Sequence, residues 1–525
     1  MKTYKSFSTR QTPQSELVYG KKMIKNSAEG YIFEITNWER LKRFLILGTD
    51  GGTYYASEKE LTRKNAECVI RCINEDGSRT VNTILEISNS GRAPKNDPAL
   101  FALALCASFG NNETKREAFK ALPSIARIGT HLFHFVSYIE QFRGWGRSLS
   151  NAIKQWYQTK SVDTLVYQVL KYQNRDGWSH RDLLRLSHPK PIDNTYNAIY
   201  RYITKKEVSE STPELIKIFE KAKSITNNKE KVKLINNFSL TREMIPTEWL
   251  REACVWEALL ENMPMTAMIR NLATMTKVGL LVPMNNATNK VINALTNIET
   301  LQKARIHPLA LLSALNVYQA GYGVKGQGQW VPVMQIVDAL NDAFYKAFNF
   351  VESSNKRIMI GLDVSASMTR GSIAGIPGLN PRVASAALSL VTAAVEEKYS
   401  IMAFCHEFVP LDISPKQRLD DILKKIDNLE WGDTDCALPI LYADKYNIPV
   451  DIFIIYTDNE TWAGEIHPFQ ALQLYRRKTG IPAKLVVVGM TATDFSIADP
   501  NDFGMMDVVG FDTVAPQLIT DFAKS

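Results

Sequence analysis

The stretch Arg357-Ile-Met-Ile-Gly-Leu-Asp-Val-Ser-Ala-Ser367 decides the fold of the C-terminal third of the chain. It is apolar from Ile358 to Leu362 without alternation, then presents one carboxylate and two hydroxyls at a spacing of two residues. So short an unbroken apolar run reads as a strand covered on both faces, because a half-exposed strand would alternate. The same signature returns in Ser400-Ile-Met-Ala-Phe-Cys405, Asp451-Ile-Phe-Ile-Ile-Tyr456 and Ala483-Lys-Leu-Val-Val-Val-Gly489. Helical segments separate these runs: the small-residue stretch 382–391, then 416–429 and 467–478. Strands alternating with helices predict a doubly wound, parallel α/β sheet, here from residue 355 to 525. Ligands of such sheets bind at the carboxyl ends of the strands, where Asp363, Ser365 and Ser367 fall.

Hard oxygen donors without His or Cys suit Mg²⁺ or Mn²⁺ rather than zinc. Two later loops supply more of them: Thr434 in Gly432-Asp-Thr-Asp435, and Asp458 in Tyr456-Thr-Asp-Asn-Glu460. The plainer alternative is that Asp363 and the serines only cap the turn that follows. The order DxSxS, Thr, Asp resembles the metal-ion-dependent adhesion site of von Willebrand factor A domains, and the resemblance spans 355–525. It implies one divalent cation, Mg²⁺ before Mn²⁺, held by Asp363, Ser365, Ser367, Thr434 and Asp458. Asp433, beside the metal-loop threonine, departs from the smaller residue expected there and adds negative charge.

Upstream the pattern is helical. Pro98-Ala-Leu-Phe-Ala-Leu-Ala-Leu105, Glu113–Leu122, Thr130–Val136, Arg147–Trp156, Trp249–Trp256, Met265–Leu272 and Pro308–Leu315 repeat apolar positions every three or four residues. Ser179-His-Arg-Asp182 has the form of a capping box. Helix pairs of uneven length predict an all-α, HEAT-like body over residues 29–354, preceded by a polar, mobile tail at 1–28. A multidomain chain of 525 residues with 45% hydrophobic and 22% charged residues excludes wholesale disorder and fibrous classes. The net charge of +7 is uneven: from Lys356 onward 15 Lys and Arg face 22 Asp and Glu, while the residues before carry 47 against 33. A basic body suits a polyanion, although lysine-rich solvated helix faces would look the same. No apolar run of membrane-spanning length, no leader-like N-terminus and six cysteines without a CxxC pair favour a reducing cytoplasm.

Within that body, residues 171–190 gather Lys171, Arg175, Arg181, Arg185, Lys190, two histidines, Tyr172 and Trp178. Lys171 and Arg175, four apart, are expected on one helix face where they could hold successive phosphates. Aromatic neighbours could stack unpaired bases, and Arg143-Gly-Trp-Gly-Arg147 repeats the mixture. Gly51-Gly-Thr-Tyr-Tyr55, Gly177–His188, Met263–Leu272, Ala304-Arg-Ile-His-Pro308 and Asp342-Ala-Phe-Tyr-Lys346 resemble the TROVE-domain family of Ro 60-kDa autoantigens, its bacterial orthologues included. The resemblance covers the chain from about residue 30 onward. It implies a HEAT-like ring closed by the adhesion-type domain. It also implies binding of Y-type small RNAs on the outer surface and of single-stranded 3′ ends of misfolded RNA in the central hole. Lys171, Arg175 and His188 match family positions that contribute to RNA binding; Arg147, Arg181 and Arg185, from the same basic-aromatic stretches, complete the candidate set. Bacterial relatives further imply a 3′-exonuclease partner bridged by RNA; the chain itself is expected to be monomeric.

Other motifs fail on context. Gly321-Tyr-Gly-Val-Lys-Gly326 fits GxGxxG but follows a helix rather than a strand. No GxxxxGK[ST], HExxH or hydrolytic triad is present, and His131 and His134 sit among apolar residues as core histidines. The reading is therefore a noncatalytic RNA-binding scaffold in RNA quality control. The alternatives are a metal-dependent phosphoesterase using Asp363 and Asp458, and a purely protein-interacting adhesion module. Cleavage of labelled RNA in Mg²⁺ separates the enzyme from the scaffold.

Overall fold

The computed structural model describes residues 11–48, 58–304, 306–323, 328–347, 353–369, 379–411, 413–414, 417, 419–427, 429 and 432–525. The Gly51–Tyr55 motif, Arg305, residues 324–327 of the glycine-rich loop and the first ten residues lie outside them. The chain divides into two compact units, one drawn from Met1–Cys68, Arg92–Pro94 and Phe348–Ser525, the other from Val69–Gly91 and Lys95–Ala347. In chain order the described strands are β1 (Ile24–Lys25), β2 (Tyr31–Glu34), β3 (Asn174–Arg175), β4 (Trp178–Ser179), β5 (Ile358–Asp363), β6 (Tyr399–Phe404), β7 (Phe408–Pro410), β8 (Ile452–Thr457), β9 (Lys484–Gly489), β10 (Phe495–Ser496) and β11 (Met505–Val509).

In the first unit the main sheet runs β11-β9-β8-β5-β6-β7, parallel throughout except for the antiparallel edge strand β7. Strands β5 and β8 are buried at every position, as their unbroken apolar runs require. The chain passes from β5 to β6 on one side and later to β8 on the other, so the strand order reverses at the β5–β8 seam. That seam is where open α/β sheets place their ligands.

Residues 11–28 of the polar N-terminal segment belong to this unit, which corrects the expectation of a mobile tail over those residues and of a helical body starting at 29. Strand β2 pairs with both β1 and β10, and its Ile32 and Phe33 are each 2% exposed in the α/β core. Phe33 meets Phe469 edge to face at 5.2 Å. Burying these two side chains contributes roughly 1.5–3 kcal/mol each, enough to hold a segment whose sequence carries no periodicity. The helix Asn37–Leu47 follows, opened by a Thr36–Glu39 capping box. It docks through buried Arg43, which donates to the carbonyls of Thr493 and Phe495 and to Asp507.

In the second unit, helix Asp97–Phe109 packs on both the next helix, Asn112–Ile125, and the one after it, Gly129–Phe142; Asn112–Ile125 in turn packs on Arg147–Gln158. Contacts to the first and second neighbour are those of a helical-repeat stack. The segment expected as one helix at 249–256 is broken: a 3₁₀ turn, Thr247–Arg251, ends at extended Glu252 and a helix restarts at Ala253. Trp256 closes the break by donating its indole N–H to the Leu250 carbonyl at 2.8 Å.

Candidate metal centre and nucleic-acid interface

Sheet pairing assembles the oxygen cluster. Asp363 ends β5, Thr457 ends the adjacent β8, and the Thr457 hydroxyl donates to Asp363 Oδ2 at 2.7 Å. Asp363 Oδ1 accepts the Ser365 N–H at 2.9 Å, which turns the chain and brings the Ser365 and Ser367 hydroxyls within 2.9 Å of each other. Asp458 follows β8 directly and accepts the Glu460 N–H through Oδ1 at 3.0 Å. The Thr434 loop is tied to the end of β6 by the Asp435 N–H to Cys405 carbonyl bond at 3.0 Å, and the Thr434 carbonyl accepts from Trp462 and Ala463. All five sequence-chosen residues are buried, Asp363 and Asp458 at 0% exposure, while neighbouring Asp433 is exposed.

The electrostatics fit a cation. Burial pushes the Asp363 carboxyl above its usual range, and burial together with the Asp363 charge pushes Asp458 up to about 7. The Arg382 guanidinium offsets part of this at Asp363. Asp458 Oδ2 is buried with no hydrogen-bond partner among the described residues. An orphaned buried carboxylate oxygen costs several kcal/mol unless a positive charge meets it. Two carboxylates and three hydroxyls make a hard donor set for Mg²⁺ or Mn²⁺. Groups of three or more His, Cys, Asp or Glu gathered to hold a metal do not occur among the described residues.

Sequence reasoning missed the strap that holds these loops together. Gln14, fully buried, donates from Nε2 to Asp435 Oδ1 at 2.7 Å and to the Ile466 carbonyl at 2.9 Å, and its Oε1 accepts the Thr461 hydroxyl. Asn26 donates to the carbonyls of Asn459 and Thr461. A Cβ at Gly464 would lie 2.3 Å from Gln14 Nε2 and 2.4 Å from Asp435 Oδ1, so glycine is what lets the three groups meet. Gln14→Ala should lower the melting temperature, since each buried polar partner left unsatisfied costs about 1–3 kcal/mol. It should also weaken divalent-cation binding several-fold in calorimetry. Unchanged cation affinity in the destabilised variant would mean that the strap serves the fold and not the site.

In the helical unit, the helix Val162–Lys171 stops at Lys171, and Arg175 lies on β3 of a two-stranded hairpin. The one-face expectation for Lys171 and Arg175 is therefore corrected. Asp176 at φ 52° and Gly177 at φ 80° form the tight turn, a conformation that Asp-Gly adopts with little strain. Lys171 is half-buried, donates to the Tyr167 hydroxyl at 2.8 Å and sits over the Tyr167 and Tyr172 rings. Burial opposes its charge, but the Tyr167 contact and its neighbours raise its pKa overall. Arg175 is exposed, with Asp176 3.7 Å away, a pairing too loose to neutralise it.

The capping box at Ser179 opens the helix His180–Ser187, with Asp182 returning to the Ser179 N–H at 3.0 Å. Arg181 and Arg185 are one turn apart and exposed, and His188 ends the helix in the left-handed region at φ 51°. Trp178 of the hairpin stacks on Trp145 at 6.0 Å, which brings the loop before Arg147 against β4, and Ser150 donates to the Ser187 carbonyl. An open groove of about 500 Å³ is lined by Trp178, Arg185 and Leu186 together with the carboxylates of Glu140, Asp176 and Asp182. Arg147, Arg175, Arg181, Arg185 and His188 are each exposed, on the hairpin, on the helix that follows it and on the helix packed against that one, while Lys171 is half-buried. His180 is different: buried against Tyr157, with burial pushing its imidazole down to about 4, it is a neutral core residue. His134, expected in the core, instead pairs with Asp97 and Asp176 at the foot of the hairpin; His131 meets Asn96.

Fold and site together define a helical-repeat body carried in one chain with a von Willebrand A-type domain that has an adhesion-type oxygen cluster. The TROVE domain profile matches residues 24–239 and 230–321, and the Ro60 vWA domain profile matches 357–523. RNA-binding protein RO60 of Deinococcus radiodurans is 41% identical over 98% of this chain and 97% of its own length. The protein of the same name from Caenorhabditis elegans is 35% identical over 95% and 90%. The crystal structure of the Deinococcus radiodurans RO (RSR) protein superposes with a TM-score of 0.71, covering 93% of this chain and 99% of that one. The chain belongs to the Ro60 family of TROVE-domain proteins. Among its described residues no helix is long and apolar enough to cross a membrane.

Proposed function

We propose that this protein is an RNA-binding scaffold of cytoplasmic RNA quality control, which takes Y-type small RNAs and the unpaired 3′ ends of misfolded or decaying RNA. The observation that carries the reading is the basic-aromatic set of Arg147, Arg175, Trp178, Arg181, Arg185 and His188, in a chain of a family whose matched members are named RNA-binding proteins. Guanidinium groups neutralise phosphates, and the stacked Trp145–Trp178 pair offers a face for unpaired bases. The role is noncatalytic: the carboxylates of the metal centre are two, buried and bound to neighbouring backbone and hydroxyl donors, with no histidine base in the set. Asp363, Ser365, Ser367, Thr434 and Asp458 would hold one Mg²⁺ or Mn²⁺. When bound, that ion supplies a Lewis-acidic position able to capture a carboxylate of a protein partner. A 3′-exonuclease would be recruited through the bound RNA, by a monomeric protein.

The test compares one RNA hairpin with and without a 3′ tail of about ten unpaired nucleotides, at matched salt. The tailed RNA should bind at least about tenfold more tightly, since base stacking on aromatic side chains is worth roughly 1–3 kcal/mol per base and a duplex withholds its faces. Equal affinities would remove the preference for unpaired ends, and release of labelled fragments in Mg²⁺ would replace the scaffold with a nuclease.

A further inference from the structure

Between the hairpin and the helices that follow lies a cavity of about 220 Å³ that the residues discussed so far do not explain. Leu170, Ile203 and Phe219 are among its apolar lining, and Asn174, Arg181 and Lys206 among its polar lining. The carboxylates nearby are already engaged. Glu220 accepts from the Tyr202 hydroxyl at 2.6 Å and from Lys223 at 2.7 Å, and Asp182 is held by the Ser179 cap. Arg181 and Lys206 have no carboxylate partner among the described residues. The Lys206 ammonium instead lies over the Tyr202 ring at 4.6 Å. Burial lowers its pKa, and Lys223 and Arg181 add to the lowering while Glu220 opposes it, so three cations gather beside this recess.

Lys206 also occupies an unusual backbone position. It ends the helix Asn194–Lys205 in the left-handed region, φ 60° and ψ 24°, with its N–H on the Tyr202 carbonyl. Glycine is the residue that adopts this conformation without strain, so replacing this lysine by glycine removes the side chain without straining the backbone.

We propose that this cavity is a single-nucleotide pocket: it takes one unpaired nucleotide of a bound RNA, with the phosphate on Arg181 and Lys206 and the base on the apolar lining and the Asn174 amide. The inference rests on the RNA-binding reading and adds a site and residues to it. A recess of this size, smaller than the usual range of roughly 300–1,000 Å³ for small-molecule sites, admits a base but neither a duplex nor an extended peptide. The amide of Asn174 offers both a donor and an acceptor, which a base edge matches and a bare phosphate does not. Asn174 is the neighbour of Arg175 on the hairpin, and Arg181 precedes Arg185 by one turn, so the pocket adjoins these exposed basic residues along the chain.

The decisive variant is Lys206→Gly in the full-length protein, because glycine relieves the left-handed strain while removing the cation. Its melting temperature should be at or above that of the parent. Its affinity for the tailed hairpin should fall about five- to tenfold, with the log–log salt slope reduced by about 0.7 for one lost single-strand phosphate contact. Asn174→Ala should weaken binding of the tailed hairpin and leave that slope unchanged. Photocross-linking of the tail, substituted with 4-thiouridine, should place adducts on peptides containing 170–174, 203–206 or 219. Tailed-RNA affinity unchanged in both variants, or adducts mapping only elsewhere, would overturn the pocket. If Lys206→Gly acts but Asn174→Ala does not, and inorganic phosphate competes as well as uridine monophosphate, the site binds phosphate alone and the nucleotide assignment falls. If the parent protein binds neither hairpin, the RNA-binding reading itself has failed, an outcome distinct from the others.

Discussion

Asp363→Asn abolishes divalent-cation binding and leaves RNA affinity within about twofold of the parent; this is the result expected from calorimetric Mg²⁺ and Mn²⁺ titrations run beside RNA binding. Asp363 is the carboxylate through which β5 enters the site, and Asn keeps its shape and its bond from the Ser365 N–H. What it removes is the charge, and Ser365, Ser367 and Thr434 then leave Asp458 as the sole anionic ligand. Ligand-linked stabilisation offers a second readout: cation at a hundred times its dissociation constant adds about 2.7 kcal/mol to a site that binds only the folded state. The parent should therefore gain thermal stability in Mg²⁺, and the variant should not. In metal-free buffer the order should reverse or level, because burial works against the ionised form of Asp363 and raises Asp458 beside it. The pH dependence follows from the same charges. Burial and the Asp363 charge raise the Asp458 pKa from 3.8 to about 7, so below pH 7 a proton would compete with the proposed cation for this carboxyl. Cation affinity should fall as pH drops through 7 and hold steady above it. Loss of RNA binding in a folded Asp363→Asn protein would place the cation within the RNA site and end the division of labour between the two units.

The contrast between what was and was not legible in the sequence has a physical basis. Strands β5, β6, β8 and β9 announce themselves because both faces are covered, which leaves apolar runs with no competing pattern. Strand β7 has only three residues, and β11 carries Asp507, which is compatible with a strand only because buried Arg43 meets it from more than 400 residues away. Gln14 is the extreme case. It sits in a polar stretch without periodicity, and its partners Asp435, Thr461 and Ile466 are brought to it by the sheet. Local patterns cannot report a contact whose other half is set by topology. The Lys171–Arg175 spacing misled for a different reason: a separation of four fits a helix, but Asp176-Gly177 three positions before the next cap is a hairpin signal, and its left-handed turn outweighs the spacing. The Asp363, Ser365 and Ser367 cluster was legible because it leaves the end of β5 at fixed short spacing, so sequence distance and spatial distance coincide there.

Simultaneous replacement of Arg175, Arg181 and Arg185 by Ala should reduce affinity for a tailed RNA about a hundredfold near physiological salt. The log–log salt slope should fall by roughly two, three times the 0.7 expected for each single-strand phosphate contact. The three guanidinium groups are exposed, and Arg181 and Arg185 have no ion-pair partner among the described residues. Solvated cations of this kind add little to folding, so the melting temperature should hold while binding collapses. Lys171 should behave otherwise. It is half-buried, held by the Tyr167 hydroxyl and by contact with two aromatic rings, so Lys171→Ala removes packing as well as charge. That variant should lose stability and binding together, and its slope should change by no more than one contact's worth. His188→Ser gives a third signature: its imidazole is expected to supply hydrogen bonding or stacking rather than a phosphate contact, so affinity should drop while the slope stays near that of the parent. Circular dichroism melts and binding at three or more salt concentrations separate the three cases. If the triple-arginine protein kept both affinity and slope, the exposed guanidinium groups would be ordinary solvated helix and hairpin surface, and the RNA would have to be held elsewhere on the protein.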